Sequence, residues 1–444
     1  MNTRFSALFL PLLILGFTFT GTAQTAKKPP DFVNPFLGTY FFGHTYPGPC
    51  LPYGLVHLGP DTGTEGWTYC AGYVYGDNSI IGFSHTHWSG VGMVNGGEVM
   101  LMPTVNNQLQ VIPGTAKNPE DGYRSRFSHD DETASPGYYS VLLKDYNIKV
   151  ELTATKRAGF HRYKFPKTEN ARIILDLGHQ IGTMKAAELS EFKIINNNRI
   201  EGAKSAGLGK VYFVAEFSKP FRYYGTFDTE YVTPESGGSI WPYKGGEIGS
   251  KIGAFVTYKT EENEAVLVKV GISYTSVEGA RKNLEAEIPD WNFDRVKNEA
   301  REAWNKELSK ITVEGTDDQK EIFYTALYHS FLAQYISSDV DGKYIDSDQK
   351  IHVAKDFDFY GSFSCWDTYR SQHPLLTLTA PEHVDDFIKS IAAKTEHYGW
   401  LPAQHFLNVF GEAMVGDHLI PVIVDAYMKR SEEHTSELQS RSDL

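Results

Sequence analysis

Hydrophobic and polar residues alternate along much of the chain between residues 31 and 276. In the segment IKVELTAT, the apolar residues Ile148, Val150 and Leu152 are each separated by one residue, which is the period of a strand with one buried face. The segments ARIILDLG, VYFVAEF, GAFVTY and EAVLVKVGISY continue this pattern, and turn-forming stretches such as PESGGS and NNNRIEG separate them. Because many strands follow one another without long helices between them, the pattern predicts an antiparallel β-sandwich over residues 31–276.

The hydrophobic pattern changes to a helical period near residue 291. In WNFDRVKNEAREAWNKELSKI, apolar residues recur every three or four positions and charged residues occupy the opposite face. The apolar positions of this segment are Phe293, Val296, Ala300, Trp304, Leu308 and Ile311. Next, QKEIFYTALYHSFLAQYIS is apolar on nearly all sides, which predicts a helix buried on several sides, and CWDTYRSQHPLLTL and HLIPVIVDAYMK predict further inner helices. We therefore predict a linker helix over 277–312 and the first part of an all-α domain over 313–430.

Both ends of the chain differ from the rest in composition. The first residues combine Arg4, an apolar run and a small-residue site at 21–23, which predicts a secretory signal peptide over 1–23 and a secreted or periplasmic protein. No cysteine lies near this site, so a lipid anchor is not expected, and no later stretch is long and apolar enough to span a membrane. Residues 431–444, SEEHTSELQSRSDL, lack an amphipathic period, and we expect a non-native tail there, with a natural disordered terminus as the alternative.

Composition narrows the class of protein further. The formal charge of -13 over 444 residues argues against nucleic acid as a partner, since phosphates require a basic surface. Aromatic residues make up 14% of the chain, which suits sugar stacking and equally suits large cores and sheets. The cysteines Cys50, Cys70 and Cys365 leave a Cys50–Cys70 disulfide and buried free thiols as two open alternatives, and their spacing does not fit a zinc site.

The segment FSCWDTYRSQHPLLTL concentrates chemically active side chains on a predicted helix. In one interpretation, Ser364 and Asp367 form a capping box at its start, and Asp367 pairs with Arg370 three residues later. In the other, a helix bent at Pro374 presents Trp366 to the apolar face of a pyranose, while the carboxylate and the guanidinium bind vicinal hydroxyls. The pattern alone leaves both interpretations open.

A glycine-rich segment that begins at Gly66 carries histidine and tryptophan residues. His85 and His87 are two positions apart, so a metal site is one interpretation, but no adjacent carboxylate completes a ligand triad. Histidines that orient a loop or touch a ligand fit the pattern better. The glycines allow the backbone to approach either another strand or a bound sugar.

Two other segments contain carboxylates next to turns or loops. In SSDVDGKY, Asp339 and Asp341 resemble the start of a calcium loop, but the later ligands are missing and a turn explains the segment better. Glu396, Glu412 and Asp417 could act as acid or base, although their spacing selects no pair. The chain contains no GxSxG, P-loop or HExxH motif, so the corresponding hydrolase, nucleotide and zinc-protease functions have no support.

Seven motifs occur in the order found in glycoside hydrolase family 92. They are VNPFLGT, GHTYPGPCLPYGLVHLGPDT, GFSHTHWSGVG, LMP, FYTALYHSFLAQYISSDVDGKY, WDTYRSQHPLLTL and MVGDHLIPVIVDAY, and the similarity covers residues 31–427. The chain thus resembles this family of exported α-mannosidases, which implies an N-terminal β-sandwich, a following (α/α)6 barrel and a site between them. The resemblance also implies removal of terminal α-linked mannose, often α-1,2-linked, by calcium-dependent inverting hydrolysis, with a mannose-containing glycan as the partner.

The resemblance assigns roles to individual residues of this sequence. The expected substrate-binding residues are Trp366, Asp367, Arg370, Trp88, His87 and Cys70. The first three match positions that hold the terminal mannose, and the last three match a loop that the sandwich contributes. The family's general acid lies in an EGN-type motif and its base in an NDD- or NED-type motif, and neither occurs in this sequence. We therefore expect both catalytic groups beyond the C-terminus, an incomplete (α/α)6 domain over 313–430, and no activity from this chain.

Two other functions remain open on the sequence alone. A carbohydrate-binding, lectin-like protein would use the sandwich by itself and would bind mannose without the helical half. A different helical-barrel hydrolase or lyase would use its own acid, such as Glu412 or Asp417. The pattern predicts neither the calcium ligands nor the oligomeric state.

Overall fold

The computed structural model describes most of the chain. The described residues are 27–182, 189–206, 209–230, 238–401, 403–406, 409–411, 414 and 416–429. The predicted signal peptide, the predicted tail over 431–444 and the candidate Glu412 lie outside these residues. No helix in the described part is long and apolar enough to cross a membrane.

The strands of the N-terminal domain form antiparallel sheets. In chain order they are β1 (Gly59–Asp61), β2 (Ser79–Ile80), β3 (Gly82–Ser84), β4 (Met100–Thr104), β5 (Ser125–Arg126), β6 (Thr133–Ser135), β7 (Tyr138–Leu143), β8 (Ile148–Ala154), β9 (Ala158–Phe165), β10 (Thr168–Asp176), β11 (Ser190–Asn196), β12 (Arg199–Ala206), β13 (Gly209–Phe217), β14 (Tyr223–Asp228), β15 (Ser239–Pro242), β16 (Gly246–Gly249), β17 (Ile252–Thr260) and β18 (Glu264–Ser273). One sheet has the strand order β1-β3-β4-β10-β17-β14-β15, and a second has the order β16-β11-β12-β13-β18-β9-β8-β7-β6. The predicted antiparallel β domain is therefore confirmed.

Helices dominate the chain after residue 276. They are α1 (Val277–Glu287), α2 (Phe293–Leu308), α3 (Asp317–Ser330), α4 (Cys365–Thr368), α5 (Gln372–Thr379), α6 (Pro381–Tyr398) and α7 (Leu419–Lys429). Short strands lie between them, namely β19 (Lys343–Ile345), β20 (Ile351–Val353), β21 (Ser362–Phe363), β22 (Gln404–Phe406) and β23 (Val409–Gly411). A helical domain thus follows the β domain as predicted, and the (α/α)6 barrel stays a prediction.

The predicted linker helix over 277–312 consists of two helices. Helix α1 ends before Pro289, which has no backbone N–H to continue a helix. Helix α2 begins at Phe293, and the side chain of Asn292 caps it by accepting a hydrogen bond from the Arg295 backbone N–H. Because α1 packs against β18 and β13, it covers the nine-stranded sheet instead of bridging two domains.

Helix α2 covers part of the nine-stranded sheet as well. The alternation in β8 predicts one exposed face, yet Glu151 on that face is buried. Its carboxylate accepts hydrogen bonds from Arg162 Nε at 2.8 Å and Nη2 at 2.7 Å, and the ring of Phe293 lies 4.2 Å from the guanidinium. Burial alone would raise the pKa of Glu151, but Arg162 and Lys164 lower it to about 2. Charge pairing therefore allows a carboxylate to lie under the helix.

Helix α3 is shorter and more exposed than predicted. It ends at Ser330, and Phe331 is buried after it without being helical. Tyr324 and Tyr328 lie in the core, whereas Ile322 is 67% exposed. A nearly uniform apolar run does not reveal which helix face meets solvent, because it lacks the polar positions that mark that face.

The segment SSDVDGKY is a turn that also joins the two domains. Asp339 is buried, and its carboxylate accepts hydrogen bonds from the Ser273 hydroxyl at 2.9 Å and the Asn283 side-chain amide at 2.7 Å. The backbone N–H of Gly342 donates to the Asp339 carbonyl at 2.9 Å, which closes the turn. The predicted turn is confirmed, and the carboxylate that resembles a calcium ligand is bonded to groups of β18 and α1.

Candidate substrate-binding site

The WDTYR segment lies at a break between two helices. Helix α4 ends at Thr368 and α5 begins at Gln372, so residues 369–371 form a turn. Pro374 is the third residue of α5, where its missing N–H requires no partner. Pro374 was predicted to bend one helix, whereas the segment forms two helices with the break at residues 369–371, and Pro374 lies in the first turn of the second.

Asp367 and Arg370 are exposed and do not contact each other as an ion pair. Asp367 Oδ2 accepts a hydrogen bond from the Ser364 hydroxyl at 2.9 Å, so the predicted capping box is not formed. Arg370 Nη2 donates to the Trp366 carbonyl at 3.2 Å, and the guanidinium lies 5.2 Å from the Tyr369 ring. The predicted pairing of Asp367 with Arg370 is therefore wrong. Their polar groups face solvent next to the half-buried Trp366.

His373 belongs to the core and not to this polar surface. It is 3% exposed, its Nε2 lies 3.9 Å from Cys365 Sγ, and its ring stacks on Phe363. Burial lowers the pKa of His373 to about 4. The helix break thus divides the segment into an exposed half around Asp367 and a buried half that anchors it.

The loop after β3 brings Trp88 to the helical domain. The indole is 4% exposed and lies edge to face on Tyr335, with ring centroids 5.6 Å apart. The Tyr335 carbonyl accepts a hydrogen bond from Gly361 N–H at 2.8 Å, just before β21 and the WDTYR segment. Tyr335 therefore lies between Trp88 and the chain that leads to Trp366.

His87 is buried, and both of its ring nitrogens have partners inside the protein. Nδ1 lies 2.7 Å from the His57 carbonyl and Nε2 lies 2.9 Å from Asp61 Oδ1. The ring also stacks on Tyr46 at a centroid distance of 4.7 Å. Because both ring nitrogens bind groups of the protein, His87 holds in place the loop that carries the adjacent Trp88.

Asp61, in β1, contacts histidines from two other parts of the chain, and it was not among the site residues predicted from the sequence. Its Oδ1 contacts His87 and its Oδ2 lies 2.9 Å from His179 Nε2. Burial alone would raise the pKa of Asp61, but the charges and hydrogen bonds of the two histidines hold it well below its usual range. Gly72 has φ 73°, and a Cβ there would lie 2.2 Å from Asp61 Oδ1. Asp61 is the last residue of β1, and an acid at the end of the mostly apolar stretch LVHLGPD was the available signal.

His85 takes part in a buried hydrogen-bond chain instead of a metal site. Its Nδ1 lies 2.6 Å from the Val99 carbonyl, and its Nε2 lies 3.0 Å from His161 Nε2. The Tyr163 hydroxyl lies 2.8 Å from His161 Nδ1. Burial lowers the pKa of His85 to about 4 and that of His161 further, so both rings are neutral. Neutral rings fix the order of donation as Tyr163 to His161 to His85 to the Val99 carbonyl.

Cys70 is a buried thiol in the same loop region. Its Sγ donates to the Trp67 carbonyl at 3.1 Å, and burial raises the pKa of the thiol. The cysteines Cys50 and Cys365 are also free and buried, so the Cys50–Cys70 disulfide is not formed. The indole of Trp67 itself is 54% exposed.

The glycines of this region mainly allow other parts of the chain to approach. A Cβ on Gly96 would lie 2.6 Å from the Thr86 carbonyl oxygen, and one on Gly97 would lie 2.8 Å from the Ile181 backbone nitrogen. Gly90 has open space around its Cβ position. Of the two alternatives for these glycines, close approach of the protein backbone applies at Gly96 and Gly97.

The remaining candidate carboxylates are not brought together by the described structure. Glu396 is exposed on α6, and Asp417 is exposed just before α7. Within the described ranges, one group of three side chains could hold an ion, formed by Glu307, Glu382 and His383. Lys310 Nζ already lies 2.8 Å from Glu307 and 2.7 Å from Glu382, so an ammonium group fills that position.

Comparison with known proteins identifies the class and then the family. Residues 32–273 match the sequence model of the glycosyl hydrolase family 92 N-terminal domain, and residues 279–440 match that of the family 92 catalytic domain. The β domain and the helical domain thus each match a domain of one glycosyl hydrolase family. The chain belongs to glycoside hydrolase family 92.

Two relatives with solved structures and one relative known by its sequence support this assignment. A family GH92 α-mannosidase of Bacteroides thetaiotaomicron, in complex with mannoimidazole, is 35% identical with a TM-score of 0.84 over 91% of this chain and 53% of its own. A GH92 inverting mannosidase of the same organism is 26% identical with a TM-score of 0.77 over 90% of this chain and 53% of its own. An uncharacterized secreted glycosidase of Arthroderma benhamiae is 25% identical over 94% of this chain and 52% of its own. The chain spans about half the length of these relatives.

Proposed function

We propose that the protein removes terminal α-linked mannose, often α-1,2-linked, from glycans by inverting hydrolysis, and that this chain supplies the mannose-binding side of the site. The observation that carries the proposal is the separation of Asp367 from Arg370, whose exposed polar groups stand unpaired with each other beside Trp366. The mannosidase relatives support the choice of mannose. Export of the protein is part of the proposal, since the Arthroderma relative is named a secreted glycosidase.

The three residues have complementary roles toward a pyranose. Trp366 offers a ring for the apolar face of the sugar, and Asp367 accepts hydrogen bonds from hydroxyls. Arg370 donates to hydroxyls on the adjacent carbon from its planar guanidinium. The side chains of Asp367 and Arg370 each make one internal hydrogen bond that holds their orientation and leaves further capacity for the ligand.

Trp88, His87 and Cys70 have unequal parts in the proposal. Trp88 contributes a buried aromatic edge next to Tyr335. The polar atoms of His87 and Cys70, in contrast, are hydrogen-bonded within the protein. We therefore assign His87 and Cys70 to positioning the loop. Inverting hydrolysis needs two carboxyl groups about 6.5–9.5 Å apart, and we assign neither to a described residue.

Calcium, which the family resemblance implies, is assigned to none of the described side chains. Calcium takes about six to eight oxygen ligands. The group of Glu307, Glu382 and His383 offers a nitrogen, and its two carboxylates already bind Lys310. Asp339 is saturated by hydroxyl and amide donors. No step of the proposed function is therefore routed through a metal.

Calorimetric titration of mannose into the 444-residue chain tests the proposal. We expect mannose to bind more tightly than galactose, and Asp367→Asn to weaken mannose about tenfold or more, as loss of a hydrogen bond to a charged group does. Glu314→Gln, at an exposed carboxylate elsewhere, is the control. Unchanged binding by Asp367→Asn contradicts the proposal and favours the lectin-like alternative, in which the β domain binds mannose by itself.

A hydrolysis assay on the same chain separates binding from catalysis. We expect no release of mannose from an α-1,2-mannobiose, because the EGN and NDD or NED motifs of the family do not occur in this sequence. Release that follows the chain through purification overturns this expectation. It would favour the other alternative, a barrel enzyme with its own acid, and loss of release in Glu412→Gln or in Asp417→Asn would identify that acid.

A further inference from the structure

A cavity on one face of the seven-stranded sheet is separate from the WDTYR segment. It has a volume of about 520 Å³, within the range of small-molecule sites. Its floor follows one row of the sheet, in which Arg172 pairs with Thr257 and Thr257 pairs with Tyr223. We propose that this cavity is a second carbohydrate-binding site, which takes a neutral saccharide of one or two rings and has no catalytic role.

Two aromatic rings form a corner in this cavity. The centroids of Tyr223 and Tyr243 are 4.6 Å apart and their planes meet at 73°. A pyranose placed in the corner has an aromatic face beneath it and a second ring at its side, the arrangement in which its C–H groups are best covered. Under Tyr223 lies Phe255, with centroids 5.8 Å apart. A Cβ on Gly225 would lie 2.5 Å from that ring, so the glycine makes room for the aromatic floor.

Tyr243 is held outward by an unfavourable backbone conformation. Its φ is 56°, a left-handed value that costs a bulky residue energy, and its side chain is 64% exposed. A hydrogen bond from its backbone N–H to the Tyr224 carbonyl at 2.9 Å maintains this turn. A large aromatic ring in that exposed position does not stabilise the core. It is, however, placed where a surface ligand can stack on it.

The polar rim of the cavity offers both donors and an acceptor to hydroxyl groups. Arg222 Nη1 lies 2.5 Å from Glu169 Oε2, and Lys259 Nζ lies 2.7 Å from Glu169 Oε1. Such exposed ion pairs contribute only about 0–1 kcal/mol to stability. Their side chains can therefore reorient readily toward hydroxyls. Vicinal hydroxyls can accept from the Arg222 guanidinium and donate to the Glu169 carboxylate at once.

The cavity does not belong to the site already described. Arg172 and Asn170 line it from the first half of β10, while Asp176 at the end of that strand supports the loop that carries His179. Arg172 and Asp176 are four positions apart on this strand, a distance of about 13 Å along it. A glycan of more than a few sugars could occupy the cavity while its end lies elsewhere, so the second site would hold the protein on a polysaccharide.

Native gel electrophoresis of the 444-residue chain in gels containing yeast mannan tests the proposal. We expect the wild type to be retarded relative to a mannan-free gel, and Tyr243→Ala to lose most of the retardation, with at least a tenfold rise in apparent Kd. Arg222→Gln removes one rim donor without touching the strained turn, and we expect a several-fold rise.

Trp241→Ala is the matched control. Trp241 lies on the same strand as the cavity residue Ile240, and by alternation it points to the other face, where Lys244 Nζ lies 4.5 Å from its ring. We expect Trp241→Ala to be retarded like the wild type. Absence of retardation in the wild type, or retardation of Tyr243→Ala and Arg222→Gln equal to that of the wild type, overturns the proposal. Retardation that Asp367→Asn abolishes and Tyr243→Ala keeps overturns the proposal as well, and it leaves the mannose-binding function of the WDTYR segment intact.

Discussion

Trp88 of the β domain lies edge to face on Tyr335 of the helical domain, with ring centroids 5.6 Å apart. His57 approaches the same ring at 4.6 Å, so two parts of the β domain rest on one side chain. The Tyr335 backbone in turn binds Gly361, ahead of the WDTYR segment. Movement of the helical domain would therefore displace Trp88, and Tyr335 is one of the side chains that link the two halves of the proposed site.

Replacement of Tyr335 by alanine should destabilise the protein by about 3–5 kcal/mol, the usual cost of removing a buried aromatic ring. Tyr335→Phe keeps the ring and is expected to cost far less. Urea unfolding of both variants, followed by tryptophan fluorescence, measures the difference. Equal stability of the alanine and phenylalanine variants would show that the ring contact with Trp88 contributes nothing.

Asp61→Asn should destabilise the β domain by about 3–5 kcal/mol, since it leaves His87 and His179 without the carboxylate that both contact. The exposed Asp130→Asn changes the same chemical group without a buried partner and should stay within about 0.5 kcal/mol of wild type. We also expect mannose affinity to fall in Asp61→Asn, because His87 supports Trp88. Wild-type stability of Asp61→Asn would contradict the positioning role.

The buried His373 should make stability depend on pH below neutrality. Its pKa is lowered from 6.5 to about 4 by burial, so the unfolded chain binds a proton that the folded chain does not. The contribution is fully present above pH 6.5 and is lost as the pH falls toward 4. Between pH 7 and pH 5 it amounts to about 2 kcal/mol.

His373→Leu should remove that part of the pH dependence. The measurement is the free energy of unfolding in urea at pH 7 and at pH 5, for the variant and the wild type. We expect the wild type to lose about 2 kcal/mol more than the variant over this interval. If the two proteins lose the same amount, His373 is already protonated in the folded state or is not buried.

Chelation should leave the 444-residue chain unchanged. Within the described ranges, the carboxylates of the one candidate ion-binding group, Glu307 and Glu382, are bonded to Lys310. We expect EDTA to change neither the thermal unfolding midpoint nor mannose binding. A midpoint that falls by more than a few degrees, and that calcium but not magnesium restores, would show that a metal site exists in this chain.

Local sequence patterns predicted the elements that local physics determines. The alternation in β8 identified a strand because Ile148, Val150 and Leu152 point to one side of it. Helix α2 was recognised because its buried residues recur at helical spacing. The break at Pro289 was readable in the same terms, and the prediction of one linker helix overlooked it.

The partners of the site residues could not be predicted in this way. Asp61 meets His87 across 26 positions and His179 across 118, and no local period reports such contacts. Asp367 binds Ser364 and not Arg370 because the turn at 369–371 separates the two charged groups. Long-range hydrogen bonds make His87 a supporting residue, whereas the local turn keeps Asp367 and Arg370 apart.

The chain of neutral rings from Tyr163 through His161 to His85 gives the β domain an internal spectroscopic reporter. Imidazole protons that are hydrogen-bonded and shielded from water resonate far downfield and exchange with solvent only when the structure around them opens. Each of the two rings holds its proton on a defined nitrogen, so two separate resonances are expected. Their disappearance in D2O would time the opening of the sheets without any label or substitution.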